Sequence, residues 1–132
     1  MSSHGSLARL LLVILAIVGL AAPATAFTPD DFQLRSGADL VALCSAPASD
    51  PLYTAAIHMC HGFAAGAYQT LMAVTRHEKL QPIICPPTPP PSRNDAIARL
   101  VEWTGRNPQF LKEPPAEVVA RFLITTFPCP AK

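Results

Sequence analysis

Residues 51–79 read PLYTAAIHMCHGFAAGAYQTLMAVTRHEK, and this stretch decides the fold. Within it Leu52, Ala56, Met59, Phe63, Ala67, Leu71 and Val74 recur every third or fourth residue. That is the spacing of one face of an α-helix, held over about six turns, which is too long and too regular for a strand. Asp50-Pro51 supplies the start, an acidic cap followed by a proline that the first helical turn tolerates. Gly62 and Gly66 lie one turn apart in this helix. A glycine costs a helix interior about 1 kcal/mol relative to alanine, so the pair is expected to mark a face where another backbone packs close. Such a pair can also mark a membrane dimer, but only within an apolar segment of spanning length. His58, His61, Arg76, His77, Glu78 and Lys79 exclude that here.

On the N-terminal side, Ser36-Gly37-Ala38-Asp39 has the S-x-x-D form of a capping box. Leu40, Val41, Leu43 and Cys44 follow, giving a short helix stopped near Ala46-Pro47. The leader before it, Phe27 to Arg35, carries Pro29 and two acids and is expected to be extended. On the C-terminal side, Pro86-Pro87-Thr88-Pro89-Pro90-Pro91 can be neither helix nor central strand, because proline fixes φ and lacks an N–H. The segment is expected to be a stiff polyproline-II connector.

Ser92-Arg93-Asn94-Asp95 repeats the cap. The helix it opens turns Ala96, Ile97, Leu100, Val101 and Trp103 inward and fades at Gly105 and Asn107-Pro108. After a loop, Glu113-Pro114-Pro115 starts a last helix with Val118, Val119, Phe122, Leu123 and Thr126 inside. Phe127-Pro128-Cys129-Pro130 closes it. The fold class is therefore all-α, a small bundle of about four helices.

The first 26 residues have the order of an export signal. Arg9 precedes an unbroken apolar run from Leu10 to Ala22, and Ala24-Thr25-Ala26 puts small residues where a signal peptidase reads. The run is shorter than the roughly 20 residues of a spanning helix and ends at Pro23. Cleavage after Ala26 would leave one exported domain, residues 27–132, with no membrane attachment. Of ten Lys/Arg only Arg9 lies in the signal, so nine cations face nine Asp/Glu in the remainder. A formally neutral domain lacks the electrostatic footprint of a nucleic-acid binder.

The four cysteines, Cys44, Cys60, Cys85 and Cys129, all follow the signal. Export to an oxidising compartment makes an even set read as disulfides. A zinc site would want close C-x-x-C pairs. If consecutive helices alternate in direction, as short connections favour, the end of helix one lies beside the early turns of helix two. The ends of helices two and four meet at the opposite pole. The predicted pairing is Cys44–Cys60 with Cys85–Cys129.

Signatures of catalysis are missing: no G-x-S-x-G, no H-E-x-x-H and no P-loop occurs. His58 and His61 share a helix face but make only half a metal site. Ile57 stands where covalent haem attachment would need a first cysteine. The acids lie mostly at helix starts, where the dipole alone favours them. The chain is expected to be a binder and not an enzyme, with no cofactor and no metal.

Beyond these general features, the chain resembles the Rap/Tai immunity family associated with type VI secretion. The landmarks are Ser36-Gly37-Ala38-Asp39-Leu40 to Cys44, then Cys60-His61-Gly62-Phe63 with Gly66, then Cys85-Pro86. Val101 to Asn107-Pro108, Pro115-Ala116 and Phe127-Pro128-Cys129-Pro130 complete the series. The N-P before the last helix and the terminal F-P-C are the most specific. The resemblance implies a periplasmic antidote that binds a peptidoglycan-cleaving amidase delivered by a neighbouring cell, often as a homodimer, with a loop entering the enzyme's cleft. By position that loop is Asn107 to Pro115, with Gln109, Phe110, Leu111 and Lys112 as its contacts. In place of the family's short C-I-P turn after the third cysteine stands the run Pro86 to Pro91. The alternatives are an orphan periplasmic helical binder with an envelope role, and an HdeA-like acid chaperone. The latter class is richly charged, whereas 14% of this chain is charged.

Overall fold

Three boxes of the form S/T-x-x-D organise the chain, which the computed structural model describes over residues 26–130. The expected export signal, apart from Ala26, lies outside the described residues. The first box, Thr28 to Asp31, was not anticipated. Asp31 Oδ2 accepts the Thr28 backbone N–H at 2.6 Å and its hydroxyl at 2.9 Å. The expected extended leader is therefore a 3-10 turn, Pro29–Gln33. Its Phe32 packs on the core, as does Leu34 just after it.

The second box opens α1, Gly37–Cys44, where Ser36 Oγ accepts the Asp39 N–H and Asp39 Oδ2 accepts the Ser36 N–H. The long helix α2 runs Tyr53–His77. The third box opens α3, Arg93–Arg106, with Ser92 Oγ accepting the Asp95 N–H at 3.1 Å. A second 3-10 turn, Pro108–Lys112, leads to α4, Pro115–Thr126. Among the described residues these are the four α-helices, and there is no strand. The all-α bundle with two disulfides is thus the fold.

Its centre is the shortest helix. Leu40 and Leu43 of α1 are fully buried between Ala56 and Cys60 of α2, Leu100 of α3, and Val118, Val119, Phe122 and Leu123 of α4. Full burial of one such side chain is worth about 1.5–3 kcal/mol. At 1.5 Å per residue α2 is about three times as long as α1, so α1 covers only part of it. Only Ala56 and Cys60 of α2 are buried. Farther along, Phe63, Ala67, Tyr68, Leu71 and Met72 are half-buried against the core.

Five of the seven positions expected on the inner stripe of α2, Leu52, Ala56, Phe63, Ala67 and Leu71, are buried or half-buried, and two are not. Met59 and Val74 are exposed, and Cys60 takes the inward place that Met59 was given. The cause is covalent, because Cys60 is bonded to Cys44 at the end of α1. The second bridge joins Cys85 to Cys129. Both pairings are those the alternating helices predicted.

The close approach expected at Gly62 and Gly66 is absent, since a Cβ at either would meet nothing within 4 Å. The tight glycine is Gly37. A Cβ there would stand 2.5 Å from Val118 Cγ2 and 3.3 Å from the Phe110 carbonyl oxygen.

The proline connector is neither helix nor strand, and in place of the expected straight polyproline-II rod it bends at Thr88-Pro89, where the peptide bond is cis. Its near end is fixed by buried Ile84, by the Cys85 bridge, and by the Cys85 N–H donating to the Phe127 carbonyl at 2.8 Å.

Candidate functional site

The segment Asn107 to Pro115 is built as a braced turn. Asn107 ends α3, its side-chain Nδ2 donating to the Trp103 carbonyl at 2.8 Å, and Pro108 then starts the 3-10 turn. Phe110 stacks flat on Trp103, with ring centroids 5.5 Å apart and planes within 4°. The Arg121 guanidinium of α4 covers the Phe110 ring, 4.9 Å from its centroid. Trp103 in turn meets Phe122 edge-on at 6.1 Å. The far end of the turn is fastened by the Gly37 N–H donating to the Glu113 carbonyl at 2.8 Å.

The four residues expected to touch a partner therefore divide. Gln109 and Lys112 are exposed, whereas Phe110 and Leu111 are partly buried. Phe110 belongs to an aromatic stack that fixes the turn, and the turn exposes Pro108, Gln109 and Lys112. Helix-surface ion pairs lie beside it: Glu102 with Arg106 at 2.9 Å and Glu117 with Arg121 at 2.5 Å. The second of these also orients the guanidinium that covers Phe110.

A separate feature was not foreseen. An apolar groove of about 300 Å³ runs between α2, the proline connector and α3. Its walls include Tyr68 and Ala65 on one side and Pro86, Pro90, Pro91 and Ile97 on the other, over a floor of Val119, Phe122 and Leu123. No local motif announces it, because its three walls are far apart in the chain.

His61 lines this groove, while His58 is exposed. Among the described residues, no group of three or more His, Cys, Asp or Glu stands together as a metal site. Asp31 has a clearly displaced acidity. The Thr28 backbone N–H, and then its hydroxyl, hold the carboxyl below its ordinary value of 3.8, and this serves the leader turn, not a reaction centre. Among the described residues no helix is long and apolar enough to cross a membrane.

A family model described as Rap1a immunity proteins matches residues 36–129. That span begins at the Ser36 cap of α1 and ends at Cys129, so it takes in all four helices and both bridges. No curated protein and no solved structure matches the chain.

Proposed function

This chain belongs to the family of Rap1a immunity proteins, and from that we propose that it is an exported antidote to a type VI secretion toxin. In this proposal residues 1–26 are removed on export and the domain acts in the periplasm. There it binds a peptidoglycan-cleaving amidase delivered by a neighbouring cell and blocks its active-site cleft. The observation that carries the proposal is family membership over the whole bundle. The braced turn agrees with such a role, because a stiff contact segment loses little conformational freedom on binding. Gln109 and Lys112 are the contacts we assign, with Phe110 holding the turn that carries them.

The test is a competition between a strain lacking this gene and its parent, on a solid surface and in shaken liquid. A mutant that loses only on the surface, and is rescued by a copy retaining residues 1–26, is being killed by contact-delivered toxin. Equal survival in both settings would reject the antidote role. A homodimer is part of the same proposal, and sedimentation of the purified domain at micromolar concentration checks it. A monomer throughout would remove that part alone.

A further inference from the structure

Asp50 joins two parts of the chain that the toxin-binding surface does not involve. Its Oδ1 accepts the Leu52 N–H at 2.7 Å, at the start of α2. Its Oδ2 accepts the backbone N–H of Phe27 at 2.9 Å, across 23 residues of sequence. The Phe27 side chain is half-buried and packs against the core, so the nitrogen is held from both sides. The Asp50 carboxylate is itself partly buried. Among the described residues its side-chain contacts are these two backbone N–H groups, and no Lys, Arg or His pairs with it.

Phe27 is also the residue that follows Ala24-Thr25-Ala26. The nitrogen that Asp50 holds is thus the atom that cleavage after Ala26 would expose. Water divides across the Ala26–Phe27 peptide bond: the C–N bond breaks, hydroxyl joins the Ala26 carbonyl carbon, and hydrogen joins the Phe27 nitrogen. A free α-amino group has an ordinary pKa of about 7.7–8.0, so at neutral pH it takes up a further proton. A neutral donor with one hydrogen becomes a cation with three, at the same place and against the same carboxylate. Hydrogen bonds between two charged groups are markedly stronger than those with one neutral partner.

We propose that Asp50 is the receptor for the α-ammonium created by signal removal, so that the mature chain closes an ion pair its precursor cannot form. This rests on the reading that cleavage follows Ala26. Processing then does more than release the domain, because it completes the attachment of the leader to the start of α2.

The test is a double-mutant cycle on two chains, one beginning at Phe27 and one extended to begin at Ala26, each with Asp50 or with Asp50→Asn. Asparagine keeps an acceptor for the Leu52 N–H and removes the charge. Urea unfolding at neutral pH gives the folding equilibrium of each. The expected coupling is about three- to fivefold, Asp50→Asn costing more in the chain that begins at Phe27. An equal cost in both chains overturns the proposal. A second measurement is independent of any variant: cyanate should modify the α-amine of the folded chain about tenfold more slowly than that of the peptide Phe27–Gln33. Equal rates overturn it as well. N-terminal sequencing of the exported protein separates the two ideas. A start other than Phe27 rejects the cleavage reading, and a flat cycle rejects the Asp50 contact whatever the start.

Discussion

Replacing Gly37 with alanine adds one methyl group where the chain has no room. The new Cβ would lie 2.5 Å from Val118 Cγ2, 3.3 Å from the Phe110 carbonyl oxygen and 3.4 Å from that of Leu111. Carbon atoms pack best at about 3.5–4.0 Å, so the overlap with Val118 is about 1 Å or more. Neither side can retreat easily. Val118 is fully buried, and Gly37 is tied by its own N–H to the Glu113 carbonyl. Overpacking of this kind costs about 1–3 kcal/mol. Alanine returns about 0.4–1 kcal/mol by restricting the unfolded chain. The net expectation is destabilisation by about 1–2 kcal/mol, a fall in Tm of about 4–12 °C for a domain of this size. Urea and thermal unfolding followed by far-UV circular dichroism measure it. Gly62→Ala is the matched comparison: its Cβ meets nothing within 4 Å, so the helix should gain about 0.5–1 kcal/mol. A second check is Val118→Ala, which should cost less in the Gly37→Ala background than alone. Should Gly37→Ala melt at or above the wild-type temperature, the close packing of α1 on α4 is wrong.

Phe110→Ala should lower stability by about 2 kcal/mol, through loss of the Trp103 stack and the Arg121 contact. An unchanged Tm would mean that Phe110 does not brace the turn. Gln109→Ala and Lys112→Ala should stay within about 0.5 kcal/mol of wild-type stability while weakening protection in the surface competition; full protection by the double variant would remove them as contacts. Serine replacement of Cys85 and Cys129, which close the longer loop, should cost about 4 kcal/mol, against about 3 for Cys44 and Cys60. The reverse order in urea unfolding would contradict that ranking. Asp31 gives a pH dependence of known sign. Its folded pKa lies below the ordinary 3.8, so its contribution is full above that value and is lost as pH falls through the folded one. The protection of the Thr28 amide, its exchange rate relative to an unstructured peptide at the same pH, should hold at neutral pH and fall only below about pH 4, and a flat protection profile would mean the capping bonds are not made.

The two caps at Ser36 and Ser92 were legible because an apolar helical period follows each. The third, Thr28 to Asp31, has the same spacing, but Phe32 and Leu34 are too few to show a period, and the turn was missed. The disulfide pairing was legible because helix direction and chain length leave few neighbours for each cysteine. Met59 was placed inward in error, since the spacing from Ala56 admits either Met59 or Cys60, and the bond to Cys44 selects Cys60. Gly62 and Gly66 misled for a different reason: glycine in a helix signals the absence of a side chain, not what fills the space. The segment from 107 to 115 was legible as a loop between helices, but the 3-10 turn within it, Pro108–Lys112, was not. The role of Phe110 was not visible, because its partners Trp103 and Arg121 belong to two different helices. The groove beside the prolines was equally hidden, assembled from elements at residues 61–69, 86–97 and 119–127.

The proline connector is held at one end by the Cys85 bridge and backbone bond and at the other by the Ser92 cap of α3. A tether clipped at both ends transmits length, so the width of the groove beside it is dictated by residue count as well as by side-chain fit. Adding or deleting a residue between 86 and 91 would reset that gap while leaving Leu40, Leu43 and Val118 where they are. The run from Pro86 to Pro91 is therefore a tuning screw, a stretch whose length sets the groove without renegotiating the core.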